Sequence, residues 1–174
     1  MKKILTLFAV VGLIVFTGCE GPEGPPGQDG VNIVGTVYEN TSANYYNFTE
    51  GNNYSVVFNF PQQLIISDVV LVYRLGDVVN GQPLWEFLPE THYFDDEAGI
   101  RDFTYNFNFT RNYTKIFLEG YDPSNPVPSQ FTSNQIFRIV VVPADFASKV
   151  DKSNYLDVAN KLNLKESQVQ DIKF

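Results

Sequence analysis

Residues 103–110 read Phe103-Thr104-Tyr105-Asn106-Phe107-Asn108-Phe109-Thr110. Aromatic and polar side chains alternate without interruption, and a period of two marks a strand with one face in a core and the other in water. The same pattern recurs on both sides of this stretch. Val56, Phe58 and Phe60 alternate with Ser55, Val57 and Asn59, and Val69, Leu71, Tyr73 and Leu75 share a face from which Arg74 points away. Ile136 to Val142 is apolar apart from Arg138, as expected of a central strand covered on both faces. Ile116 and Leu118 lie between turns, and Val31 to Glu39 is rich in β-branched residues. Gly51-Asn52-Asn53, Asp77 to Gly81, Asp95 to Gly99 and Asp122 to Pro128 carry turn chemistry, while Pro61 and Pro143 end strands. About seven strands with no helical stretch between them predict a mainly β chain folded as an antiparallel β-sandwich, Ig-like or similar. Consecutive hairpins are expected around 84–94 and 100–110, joined by Asp95 to Gly99.

After Pro143 the pattern changes. Ser153 is placed to cap a helix over 154–162 that carries Tyr155, Leu156, Val158, Ala159 and Leu162. Asn163 with Glu166 forms a second capping box, opening a short helix over 164–170. The sandwich domain is therefore expected over 31–146 and a helical tail over 147–174. The tail's apolar face favours packing on the sandwich, with a free tail as the alternative.

The inventory excludes several chemistries. One cysteine in 174 residues permits no internal disulfide and no four-cysteine zinc site, and one histidine permits no histidine-rich metal centre. A net charge of -8 is the wrong sign for nucleic-acid backbones. At the N-terminus, Lys2 and Lys3 precede an apolar run from Ile4 to Phe16, broken by Thr6 and Gly12. It falls short of the about 20 apolar residues of a spanning helix and has the form of a signal peptide over 1–18. Phe16-Thr17-Gly18-Cys19 then resembles a bacterial lipobox, with Phe16 in place of the usual Leu. That resemblance implies cleavage before Cys19 and lipidation of Cys19; a plain cysteine beside a secretory cleavage site is the alternative. Acyl chains contribute about 0.8 kcal/mol per buried methylene, so more than one makes a stable anchor. Loss of Lys2 and Lys3 takes the basic count from 12 to 10 against 20 acidic side chains, a formal -10. Such a body is repelled by anionic head groups, so lipid rather than charge has to hold it at the membrane.

Residues 21–30, GPEGPPGQDG, are Gly-X-Y triplets too few for a collagen helix. With Cys19 they read as a tether over 19–30, a Pro-rich spacer reaching roughly 30 Å at about 3.1 Å per residue. The run Cys19-Glu20-Gly21-Pro22-Glu23-Gly24-Pro25, with DVVLVYRLG (68–76), GQPLWEFLP (81–89) and NQIFRIVVVPADF (134–146), resembles small Bacteroidota envelope lipoproteins. The resemblance implies a β-rich body held in the cell envelope and carries over no catalytic residue.

Catalytic constellations find little support. His92, in Thr91-His92-Tyr93-Phe94, reads as a surface or cross-strand histidine without a nucleophile elbow nearby. There is no G-x-G-x-x-G and no G-x-x-x-x-G-K-[ST]. The acidic cluster Asp95-Asp96-Glu97, with Asp102 beyond it, admits a calcium loop or a solvated turn. Nothing marks a pair of carboxylates for glycoside hydrolysis. Tyr45, Tyr46, Phe48 and Tyr54 lie in an Asn/Thr/Ser-rich stretch, 40–55, where exposed rings suit sugar stacking or protein contact; covering an open sheet edge is the alternative. Trp85 reads as core. The expectation is a non-catalytic envelope lipoprotein without cofactor or metal. It is anchored in the lipid bilayer through acylated Cys19, at the outer membrane on either face, and meets an outer-membrane protein complex. A glycan-binding sandwich is the alternative.

Overall fold

Phe103 and Tyr105, the middle of the alternating stretch, are fully buried in strand β6 (Gly99–Phe109). Further along the same face Phe107 is half-buried and Phe109 is exposed, because the strand runs past the edge of the core. A computed structural model describes residues 35–174 apart from Ala98. The expected signal peptide over 1–18, Cys19 and the expected tether over 19–30 lie outside the described residues. The other strands are β1 (Thr36–Glu39), β2 (Ser55–Asn59), β3 (Asp68–Val79), β4 (Gln82–Phe87), β5 (Glu90–Asp96), β7 (Tyr113–Glu119), β8 (Phe137–Pro143) and β9 (Val169–Asp171). They form a five-stranded sheet in the order β4-β3-β8-β1-β9 and a four-stranded sheet in the order β2-β7-β6-β5. All pairings are antiparallel except β1 with β9. The chain is mainly β and its two sheets make the expected antiparallel sandwich.

Nine strands are found among the described residues rather than about seven. The stretch 84–94 is not a hairpin: β4 pairs with β3 in one sheet and β5 with β6 in the other. The chain changes sheets at Leu88-Pro89, with Leu88 fully buried between them. The hairpins are β3–β4, β5–β6 and β6–β7. Strand β3 also runs through the expected turn at 77–79 and reverses at Asn80-Gly81, both at positive φ.

The five-stranded sheet is covered on both faces, which explains why β8 is buried from Phe137 to Val142. Phe137, Ile139 and Val141, with Val70 and Val72 of β3, face the four-stranded sheet. Val140 and Val142, with Leu71 and Tyr73, face outward onto a third layer, the C-terminal segment. Each such fully buried aliphatic contributes about 1.5–3 kcal/mol.

That layer contains short helices α2 (Ala144–Ala147) and α3 (Tyr155–Lys161), the latter burying Tyr155 and Val158; α1 (Ser129–Thr132) precedes β8. The N-cap of α3 is Asn154, not Ser153: its side chain accepts from the N–H groups of Leu156 and Asp157, while Ser153 is tied to Asp151. No helix forms over 164–170. Asn163 adopts φ +51, a 3-10 turn covers Glu166–Gln168, and the chain then extends as β9 beside β1. The tail is thus an integral layer, and the boundary expected at 146/147 does not separate it from the sandwich.

Val158 is fully buried under α3, so Val158→Ala is expected to lower stability by about 2 kcal/mol in urea unfolding, with easier proteolysis between α2 and α3. A free appendage would show neither change.

Candidate functional site

Strand β3 carries Arg74 on the face it shares with Val70 and Val72, which is the face against the other sheet. A guanidinium there has to find acceptors, and it does so across the sandwich. Arg74 Nη2 lies 2.5 Å from Glu86 Oε2 on β4 and 2.7 Å from Glu90 Oε1 on β5. Arg74 Nε donates to Glu90 Oε2 at 2.8 Å, and Nη1 donates to the Leu75 carbonyl at 3.2 Å. His92 Nε2 is 3.2 Å from the same Nη2 and contacts Glu90 Oε1. The guanidinium carbon sits 4.9 Å from the ring centre of Tyr105, whose hydroxyl donates to the Phe131 carbonyl. His92 lies opposite Phe103 in register, its ring stacked on the phenyl at 5.5 Å. Arg74, Glu90 and His92 are largely buried; Glu86 keeps 35% of its side chain in solvent.

Two carboxylates this close do not both ionise freely. The hydrogen bond shared with Glu90, then burial and the Glu90 charge, push Glu86 up to about 7, against the pull of Arg74 and His92. Burial works to raise Glu90, but hydrogen bonds from His92 and Arg74 outweigh it and hold this carboxyl well below its ordinary range. The pair therefore retains a shared proton well above the ordinary carboxylate range, with Glu86 the more basic of the two.

A glycine sets this geometry. The β3–β4 register slips between Leu75 and Asp77, leaving Gly76 as an extra residue, a β-bulge. A Cβ on Gly76 would stand 2.5 Å from the Glu86 carboxyl carbon. The missing side chain is the space in which Glu86 lies against Arg74.

Glu86, Glu90 and His92 can each offer an atom within 4.8 Å of the others, a distance suited to sharing a metal ion. Arg74 Nη2 already lies among those atoms and supplies the positive charge. The arrangement is an acid–base cluster closed on itself, joining β3 and β4 to β5 and β6. His92 is a cross-strand residue, as its context suggests. The sequence marks Arg74 only as pointing away from its strand's apolar face, and Glu86 and Glu90 carry no mark in it.

A second arginine points the other way. Arg138 of β8 is buried beneath the C-terminal layer, with Nε 2.5 Å from Glu39 Oε2 and Nη2 3.1 Å from Glu166 Oε2. It also donates to the Tyr155 hydroxyl, and its guanidinium carbon lies 4.3 Å from the ring centre of Trp85. Trp85 is buried as expected, and its Nε1 has no hydrogen-bond partner.

The four aromatics of 40–55 separate. Tyr45 is exposed at 45%. Phe48 is core, only 3% exposed, against the expectation of an exposed ring; it packs edge-on to Phe137. Tyr46 is half-buried, meets Phe48 and Phe174 edge to face, and donates to the Ser55 carbonyl. Tyr54 is half-buried at φ +45, with its ring 4.7 Å from that of Tyr121. These two rings line a depression of about 290 Å³ with Glu50, Asn53, Pro123 and Pro126. In the acidic turn, Asp96 pairs with Arg101 across the β5–β6 hairpin, and Arg101 covers the Phe94 ring.

No family model, no curated protein and no solved structure matches this chain.

Two outcomes follow from the cluster. Arg74→Met leaves the buried Glu90 charge unpaired and is expected to cost about 3–5 kcal/mol, partly recovered by Glu90→Gln in the same chain, in urea unfolding. For pH, the folded chain keeps a proton on Glu86 that the unfolded chain loses in the ordinary carboxylate range. Glu86 therefore favours the fold below that range, and its contribution is lost as pH rises through about 7. Glu90 has the opposite sign and loses its contribution in strong acid. Melting temperature measured from about pH 5 to about pH 8 should fall in the native protein and fall less in Glu86→Gln. Gly76→Ala, which evicts the Glu86 carboxylate, should flatten the profile in the same way.

Proposed function

We propose that this protein is a non-catalytic envelope lipoprotein whose sandwich serves as an interaction module, lipid-anchored at the outer membrane. The observation that carries the reading is the order of parts along the chain. An apolar leader ends in Phe16-Thr17-Gly18-Cys19, a Gly/Pro-rich spacer follows, and a folded domain begins at Thr36. Cys19 is the sole thiol. The closed cluster supports the non-catalytic part. Glu86 and Glu90 share one guanidinium rather than facing each other across a gap that admits a sugar ring, so they lack the arrangement of a glycosidase pair. The partner class in this reading is an outer-membrane protein complex.

A glycan-binding module is the second reading, and the depression at Tyr54 and Tyr121 favours it. Two aromatic rings beside a carboxylate and an amide supply both stacking surface and hydroxyl partners.

Metabolic labelling with palmitate should mark the native chain and not Cys19→Ser; labelling of both overturns the anchor. Cross-linking and pull-down from detergent extracts should recover a reproducible envelope partner. Retention on a polysaccharide array that disappears in Tyr54→Ala and Tyr121→Ala would select the second reading instead.

A further inference from the structure

The loop from β2 to β3, residues 60–67, turns Phe60 and Leu64 in and two apolar side chains out. Leu64 is buried in the core, whereas Ile65 and Ile66 are 66% and 86% exposed. The loop is held tightly. Leu64 N–H donates to the Arg111 carbonyl at 2.8 Å, and Arg111 Nε donates back to the Leu64 carbonyl at 2.7 Å. Ile65 N–H donates to Asp68 Oδ2 at 2.9 Å, and Asp68 N–H to the Ile65 carbonyl at 3.0 Å. Scattered exposed apolar residues are ordinary, but two adjacent isoleucines fixed outward at a loop tip present a standing apolar surface.

The location of the tip identifies what covers it. Thr36, where the chain enters the sandwich, lines the same cavity as Ile65, at the end where β8 finishes at Pro143. The tip therefore stands beside the point at which the tether joins the domain. On the reading of residues 19–30 as a Pro-rich spacer, its reach from Cys19 is at most roughly 30 Å. A lipid-anchored domain then stays within its own diameter of the bilayer, where even a weak second contact is effectively intramolecular. Arg111 and Asp68, both bonded to the loop, carry opposite charges, so the contact rests on the apolar pair.

We infer that Ile65 and Ile66 form a membrane-docking tip that enters the interfacial region of the bilayer and seats the tether-bearing end of the sandwich on lipid. This rests on the lipoprotein reading above. The test uses the full lipidated chain in vesicles of phosphatidylethanolamine and phosphatidylglycerol doped with acyl-brominated phosphatidylcholine. Ile66→Trp is compared with Val79→Trp, an exposed position at the opposite end, after subtraction of the buried Trp85 signal. The added emission of Ile66→Trp should be mostly quenched and shifted to the blue, and that of Val79→Trp should not. Flotation with the vesicles but equal quenching at both positions overturns the docked tip and leaves the anchor standing. Failure to float overturns the anchor and, with it, the contact that depends on it. A blue shift of Ile66→Trp that tracks protein concentration without lipid assigns the tip to a protein contact and also overturns the proposal.

Discussion

Two buried arginines on neighbouring strands of one sheet, pointing in opposite directions, tie the layers of this protein together. Arg74 and Arg138 lie on paired strands, with Arg74 opposite Phe137 and Arg138 opposite Tyr73. Arg74 reaches through the sandwich to Glu90, His92 and the ring of Tyr105. Arg138 reaches outward to Tyr155 and Glu166 of the C-terminal layer, and to Glu39 of β1. Each guanidinium lies against an aromatic ring, which covers its flat face while its edge makes the ion pairs.

These clusters are poor candidates for the main source of stability. Ion pairs out of water lose hydration that their attraction only partly restores, whereas the aromatic and aliphatic surface buried on both sides of the central sheet drives folding without such a penalty. What the arginines supply is discrimination. An apolar layer can slide over another with little change in contact, but a misplaced layer would leave a buried guanidinium without its carboxylates. The bulge at Gly76 belongs to the same logic, since shifting the β3–β4 register by one residue is what brings Glu86 to the inner face beside Arg74.

The layers were legible in the sequence to the extent that they depend on local period. Phe103 and Tyr105, Val56 and Phe58, and the unbroken run of β8 declare their faces by alternation or its absence. The hairpin expected around 84–94 does not form, because an apolar stretch of strand character does not say which sheet each half joins; that is decided by pairing with β3 and β6. The tail was misread at 164–170, where pairing with β1 outweighed a local capping pattern. The Arg74 cluster lay beyond reach for a related reason. Its members are separated by up to 18 residues and sit on two sheets, so their meeting is a product of the fold and not of spacing. Phe48 illustrates the converse: a polar neighbourhood suggested exposure, but the ring is core.

The alternation of strand directions gives the sandwich two unlike ends. The near end receives the chain at Thr36 and holds the loop 60–67, the sheet change at Leu88-Pro89 and the turn over 110–112. The far end holds the connections 40–54 and 120–136, and with them Tyr45 and the Tyr54–Tyr121 depression, whereas the longer connection 144–168 packs down as the third layer. Long connections accumulate side chains that the sheets do not fix, and such segments are where binding surfaces arise on a rigid scaffold. The chain enters the sandwich at Thr36 at one end, and these two connections lie at the other. The ionisable groups between the sheets are engaged with one another, whereas the outer segments bring aromatic rings, amides and a carboxylate together at the surface.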